Sequence, residues 1–446
     1  MRHPIRATLL ALLFACGCQG SAMDVDGGGD GGAPGTGGIT STGGTVGTGG
    51  STSTGGTGGP AGAGGATHTG GTVGTGGKGG NGGNGGSKGT GGAAGATGVA
   101  GKGGAAGGGA AGHSGTGGAG GATSTCSTPP PASALVGWAA VSGMGVTTTT
   151  GGGNATPQTV TTESALASAA TGTGAAVIYV KGVLSAGKIS VGSNKTIVGL
   201  CGAEIHGHLG LSGSSNVIIR NIKIVGYGVG NCALDPDYDS SVGCSSGNDA
   251  VTVNSASHHL WFDHCDISDG TDGNLDITNG SDFVTVSWTK FHYTSRSDNS
   301  GNDSTGAEGH RFSNLIGASD GLSIDVGHLN VTWHHDWWAD NVNQRMPRTR
   351  AGKIHLFNNL FTAAGDSYCT NAGDGTHLLV ESNVYSGVKA PLQPDSNGDM
   401  LAKNNIFTNT SGTTTANGTG FSPTYSYSAE AASSVQAAVQ SGAGPQ

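Results

Sequence analysis

Residues 331–338 read VTWHHDWW, and their outline, a short apolar run closing on a polar residue, recurs six more times in the chain. The other copies are NVIIRNIK (216–223), LWFDHCDI (260–267), VTVSWTKF (284–291), IHLFNNLF (354–361), LLVESNVY (378–385) and MLAKNNIF (400–407). Their sixth residues fall at 221, 265, 289, 336, 359, 383 and 405, at intervals of 44, 24, 47, 23, 24 and 22. The intervals read as one or two multiples of a repeat near 23. A unit that short, built from strands with Asn and Gly between them, cannot bury its apolar side alone, and only stacking of its copies makes a continuous core. The expected fold class is all-β: a solenoid, the single-stranded parallel β-helix.

Outside the periodic region the composition changes sharply. Residues 24–125 are dominated by Gly, Thr, Ala and Ser and hold almost no large apolar side chains. Such a segment cannot bury enough apolar surface to offset the entropy of ordering its backbone, so it is expected to be a disordered tether. Its many chance G-x-G-x-x-G matches are not nucleotide fingerprints, because no strand precedes them and no helix follows. Residues 126–446 suffice for one large domain.

The first residues, 1–23, read as an export leader. Arg2, His3 and Arg6 precede an apolar run from Leu9 to Ala15, which is signal-peptide length and too short to span a bilayer. Leu13-Phe14-Ala15-Cys16 resembles a bacterial lipobox, which would leave Cys16 as a lipidated first residue and the chain anchored at the cell surface. The competing reading is an ordinary signal peptide cut near Ala22, which releases the protein. Both take the chain out of the cytoplasm. Beyond Cys16 and Cys18 stand Cys126, Cys201, Cys232, Cys244, Cys265 and Cys369. Six cysteines allow 15 connectivities. Cys232 and Cys244, flanking a polar loop, are the expected pair, and no C-x-x-C spacing supports zinc. A net charge of −9 with 19 Lys and Arg excludes the basic face that nucleic acid needs.

Several conspicuous residues are absorbed by the repeat. Asn221, Asn359, Asn383 and Asn405 occupy equivalent positions and are expected to form a ladder of side-chain amides at a turn. Successive strand residues point to opposite faces, so His334, His335 and Asp336 cannot converge on one ion. Trp333, Trp337 and Trp338 are expected as stacked core or groove residues.

Three acids are not absorbed. Asp249 and Asp272 stand 23 residues apart, one repeat, which puts them on neighbouring rungs about 4.8 Å apart if they occupy equivalent positions. Asp276 follows within the same segment, and with Leu275 and Ile277 inward it points outward with Thr278. Like charges so close repel unless a cation joins them, and oxygen-only donors suit Ca²⁺.

The segments GNDAVTV (247–253), LWFDHCDISDGTDGNLDITNGSDFVTVSW (260–288) and LNVTWHHDWWADNVNQRMPRTRAG (329–352) resemble the pectate lyase family of right-handed parallel β-helix enzymes. The resemblance covers most of the chain after Cys126. It implies calcium held by Asp249, Asp272 and Asp276, with coordination positions left for water and the carboxylate of polygalacturonate. Arg345 matches the family's proposed catalytic base and Arg350 a substrate-binding cation, while Asp263 and His264 match a structural segment. There are departures. Gly247 stands where some relatives have a second acid, Arg348 stands where some have a neutral residue, and no lysine aligns with a substrate-binding lysine that many relatives carry. Arg311 is the candidate substitute, and Arg348 joins it as a substrate-binding candidate.

By repeat counting, the arginines lie three rungs from Asp272, on the order of 14 Å. The gap shrinks if His292–His310 bulges out as a loop. The reaction implied is β-elimination, giving 4,5-unsaturated oligogalacturonides without consuming water, by a monomeric enzyme. Two other readings stand beside it: a calcium-independent pectin lyase acting on methylated pectin, and a non-catalytic polysaccharide-binding surface protein.

Overall fold

The computed structural model describes residues 127–228, 232–241, 248–295 and 310–446. The leader and the Gly-rich segment lie outside the described residues, as do Cys126, Cys244 and Gly247. The periodic region winds into a parallel β-helix. One sheet has ten strands, from Gln158–Val160 to Asp399–Lys403, and carries the apolar segments in consecutive order. A second, of fifteen strands, is folded around the long strand Glu204–Ser212. Residues Glu204, Ile205 and His206 of that strand pair with Lys223–Val225, whereas Leu209 to Ser212 pair with Val251–Asn254. Gly207 sits at this corner, where an added Cβ would lie 2.0 Å from the Ala186 carbonyl oxygen. Each rung thus presents three faces, joined by parallel pairings such as Val284↔Val331, Ile267↔Phe291 and Ile277↔Ile316.

The interior is filled by inward residues of successive rungs. Phe291, Trp338, Phe361, Tyr385 and Phe407 form a column with ring centroids 5.7, 4.6, 4.2 and 5.2 Å apart. Trp333 and Trp338 are fully buried. Trp337 is half-buried at the surface, with Lys290 Nζ 4.9 Å from its ring centre. Stacked rings bury large area and favour the parallel-displaced geometry that a repeat supplies automatically.

At the turn leaving the first sheet, the sixth positions from Asn405 back to Cys265 form a continuous ladder, whereas the expected member Asn221 instead donates to Gly199 O and accepts from Gln446 N. Asn405 Oδ1 accepts from Asn383 N (2.9 Å), Asn383 Oδ1 from Asn359 N (2.8 Å) and Asn359 Oδ1 from Asp336 N (2.8 Å). The ladder then passes through Asp336 Oδ1, accepting from Thr289 N at 2.8 Å, and Thr289 Oγ1, accepting from Cys265 N at 3.3 Å. Its members satisfy buried backbone donors that no sheet neighbour reaches. Asp336 is therefore a rung of this ladder. His334 is buried against Phe357, and its Nδ1 lies 3.0 Å from that of His335. Asp263 is equally structural: its Oδ1 accepts from Ser133 (2.7 Å) and Ser287 (2.8 Å).

The long intervals are corrected by the strand order. Residues 221 and 265, like 289 and 336, lie on adjacent rungs, since Ser215–Arg220 pairs directly with His258–Asp263 and Asp282–Ser287 with Val331–His334. The extra residues form excursions within a rung, between Lys223–Val225 and Val251–Asn254 and between Lys290–His292 and Leu315–Ile316. Arg348 consequently pairs with Leu315, whose neighbour Ile316 pairs with Ile277 beside Asp276. Asp276 and Arg348 are two rungs apart, about 10 Å, because Lys290–His292 and Leu315–Ile316 belong to one rung.

Cys201 and Cys232 are each held in a disulfide, while Cys265 and Cys369 are free and buried in the core. The expected Cys232–Cys244 pairing falls, through Cys244, outside the described residues.

Candidate active site

Asp249 lies two residues before the start of the strand Val251–Asn254, and Asp276 sits in the next rung's strand, Leu275–Ile277. With Leu275 and Ile277 fully buried inward, the carboxylate of Asp276 is left on the outer side. The two acids converge over Gly273. A Cβ built there would lie 2.9 Å from Asp249 Oδ1 and 3.0 Å from Asp276 Oδ1, so only glycine leaves this cradle open. They face outward from the core yet are not exposed, retaining 8% and 7% of their accessible surface.

Asp272 departs from the expected register. Asp276 pairs with Thr252, which sets Gly273 opposite Asp249, and Asp272 N reaches Asn248 O at 3.3 Å. Shifted by one residue, the Asp272 carboxylate turns to His310, whose Nε2 lies 2.6 Å from Oδ1. Two of the three acids are thus brought together. Among the described residues no group of three His, Cys, Asp or Glu side chains forms a ready metal cage.

The electrostatics of the pair are those of a site short of positive charge. Burial holds the Asp249 carboxyl well above the usual carboxylate range, and the charges of Asp276 and Asp272 add to it against the Thr252 hydroxyl and Arg345. Burial raises Asp276 to about 7 despite the opposing charge of Arg345. Asp249 Oδ2 accepts from Thr252 Oγ1 at 2.8 Å, and Asp276 Oδ1 from Leu315 N at 2.9 Å. Asp249 Oδ1 is buried with no hydrogen-bond partner. An orphaned carboxylate oxygen, a second acid beside it and an oxygen-only donor set fit a hard divalent cation.

The arginines differ in setting. Arg345 is buried at 7% exposure, has a left-handed backbone (φ 63°) and lays its Cζ 4.2 Å from the Phe312 ring centre. A non-glycine residue in that backbone region is strained and needs its surroundings to hold it. Arg350 is 5% exposed, with Nη1 donating to the carbonyls of Gly317 and Ala318 and Nε 3.6 Å from Asp320 Oδ1. Arg348 is partly exposed on the strand Arg348–Thr349. Arg311 is corrected: it is 1% exposed, and its Nε donates to Asn341 O at 2.7 Å. Buried beneath the surface, it ties its own segment to the turn at Asn341.

Reasoning from sequence did not single out His310, Phe312, Asp320 or Gly273. The pair His310 and Phe312 flanks Arg311 at the end of a polar stretch, but only the tertiary contacts show that His310 reaches Asp272 and Phe312 reaches Arg345. Asp320, in GASDG, has the composition of a plain turn.

The parallel β-helix thus gathers buried acids and arginines on one outer face. A family model described as "Pectate lyase" matches residues 87–446. Pectate lyase A of Aspergillus niger is 34% identical over 308 residues, spanning 66% of this chain and 84% of the relative. Pectate lyase B of Colletotrichum gloeosporioides is 36% identical over 290 residues, spanning 62% and 77%. For the fold, a solved pectate lyase of Bacillus subtilis superposes with a TM-score of 0.55 at 24% identity, covering 70% of this chain and 96% of that one. The chain belongs to the pectate lyase family.

Proposed function

We propose that the chain is a calcium-dependent lyase of polygalacturonate that works by β-elimination. The observation that supports this best is the convergence of Asp249 and Asp276 over Gly273, with Asp249 Oδ1 left unsatisfied. Asp249 and Asp276 would hold the calcium, with Asp272 completing the set on release from His310. When bound, the ion supplies Lewis-acid stabilisation of negative charge on the substrate carboxylate.

The chain's own residues do the rest. Arg350, fixed by the carbonyls of Gly317 and Ala318, pairs with a substrate carboxylate, and Arg348 adds a second positive charge on the same face. Arg345 takes the proton from C5 of the sugar. The electron pair of that C–H bond forms the C4–C5 double bond, and the C4 glycosidic oxygen leaves. A guanidinium is a reluctant base because its charged form is stable to pH above ~12. Only the uncharged form can take the proton, so turnover is expected to rise into the alkaline range. The leader and Gly-rich segment support export, with the folded domain released or tethered through Cys16.

Absorbance of the unsaturated product, followed on polygalacturonate and on methylated pectin with and without chelator, tests the reading. Product from polygalacturonate that disappears with chelator is the expected result. Chelator-insensitive activity on methylated pectin would establish a pectin lyase, and no product from either substrate a binding protein.

A further inference from the structure

Phe312 links the two halves of the site. Its ring centre lies 4.2 Å from Arg345 Cζ, and the His310 ring packs against the same phenyl at 4.1 Å. His310 in turn holds Asp272 Oδ1 at 2.6 Å. The backbone locks this arrangement. Phe312 bridges Gln344 in parallel, Ser313 N donates to Gln344 O at 3.0 Å, and Asn314 N donates to Arg345 O at 2.8 Å. From below, the hydroxyl of fully buried Tyr293 donates to Phe312 O at 2.7 Å. The ring is thus carried on the very segment to which the backbone of Arg345 is bonded.

An arginine side chain has rotamer entropy to lose before its planar head is aimed. A face-on ring reduces that loss and shields one side of the guanidinium from water. We propose that Phe312 is a positioning residue for the elimination, its ring holding the Arg345 head in the orientation from which it removes the C5 proton. The proposal rests on the reading that Arg345 is the base. It also accounts for an apolar ring, half-buried, at the heart of a face otherwise made of acids and arginines.

The test uses the full chain with calcium on polygalacturonate, comparing wild type, Phe312→Leu, Phe312→Met, Phe312→Tyr, Arg345→Lys and the Phe312→Leu/Arg345→Lys double variant. Leu and Met should each lower kcat about tenfold with KM within about twofold of wild type, and Tyr should return kcat to within about threefold. In the Arg345→Lys background, Phe312→Leu should cost less than about twofold, because the two residues act as one unit. Retention of more than half the wild-type kcat by both Leu and Met overturns the proposal. So does an equal loss in Tyr and Leu, which would make packing volume, and not the aromatic face, the cause. A fully additive double variant overturns it as well. These outcomes require an active wild type; a wild type yielding no unsaturated product defeats the reading of function first.

Discussion

Gly273 shows how much depends on single atoms at this site. Any side chain there would enter the space within about 3 Å of two carboxylate oxygens, as an added Cβ already lies 2.9 and 3.0 Å from them. The acids it separates repel one another, and that repulsion makes the cradle receptive to a cation. Asp276→Asn should leave the fold intact, since its Oδ1 still accepts from Leu315 N, but should abolish calcium-dependent turnover. Undiminished activity of that variant in calcium-depleted buffer would sink the metal assignment. The arginines divide by setting. Arg345→Lys keeps a positive charge but loses the planar head, so kcat should fall by about a hundredfold or more with KM little changed. Arg350→Ala should raise KM by about tenfold or more, because a charge-assisted pair with substrate is lost. Steady-state kinetics on polygalacturonate separates the two, and near wild-type kcat in Arg345→Lys means the proton goes elsewhere.

At the scale of elements, the turn ladder is what keeps successive rungs in register. Asn359 Oδ1 accepts from Asp336 N while its Nδ2 donates to Trp333 O at 3.0 Å, and both contacts are buried. Asn359→Ala leaves the Asp336 N–H buried without its acceptor, which should cost about 1–3 kcal/mol. A depressed Tm with unchanged KM is the expected reading by calorimetry and kinetics; an unchanged Tm would show that water replaces the amide. The excursion before Leu315 is the other decisive element. At its described end, His310 reaches Asp272 and Phe312 lies under Arg345. The loop after Ile316 carries Asp320, which faces Arg350.

For the whole molecule, acid stability is set by imidazoles buried under the first sheet's covering segments. Burial, reinforced by His335, pushes His334 down to about 3, whereas a histidine in the unfolded chain titrates near ~6.5. Between those values only the unfolded chain takes the proton. The stability from this site is therefore complete above pH ~6.5 and drains away as pH falls toward 3, by up to ~1.4 kcal/mol per pH unit. Against wild type, His334→Phe should flatten the fall of stability below neutrality in denaturant titrations run at several pH values. Parallel slopes for the two proteins would refute it. Deleting residues 24–125 together with the leader should leave specific activity unchanged, as expected of a composition that builds no core. Loss of activity in a normally folded truncation would assign that segment a part in the site.

Sequence alone determined the solenoid, the asparagine ladder at 359, 383 and 405, and which acids and arginines to examine. Those features repeat, and periodicity along a chain reports directly on which side chains stack between rungs. The resemblance to pectate lyases was legible for the same reason: its motifs sit on regular strands and their immediate turns. What only tertiary structure decided lies in the excursions, whose length carries no periodic signal. Intervals of 44 and 47 residues are single rungs and not two, which brings Arg348 within two rungs of Asp276. A one-residue offset in pairing set Gly273, not Asp272, opposite Asp249 and turned Asp272 to His310. Arg311 went inward and Phe312 came under Arg345 because neighbouring loop residues alternate in direction only once a strand partner fixes them, here Gln344. Register and burial arise from pairing between distant segments, and no local pattern in the chain encodes them.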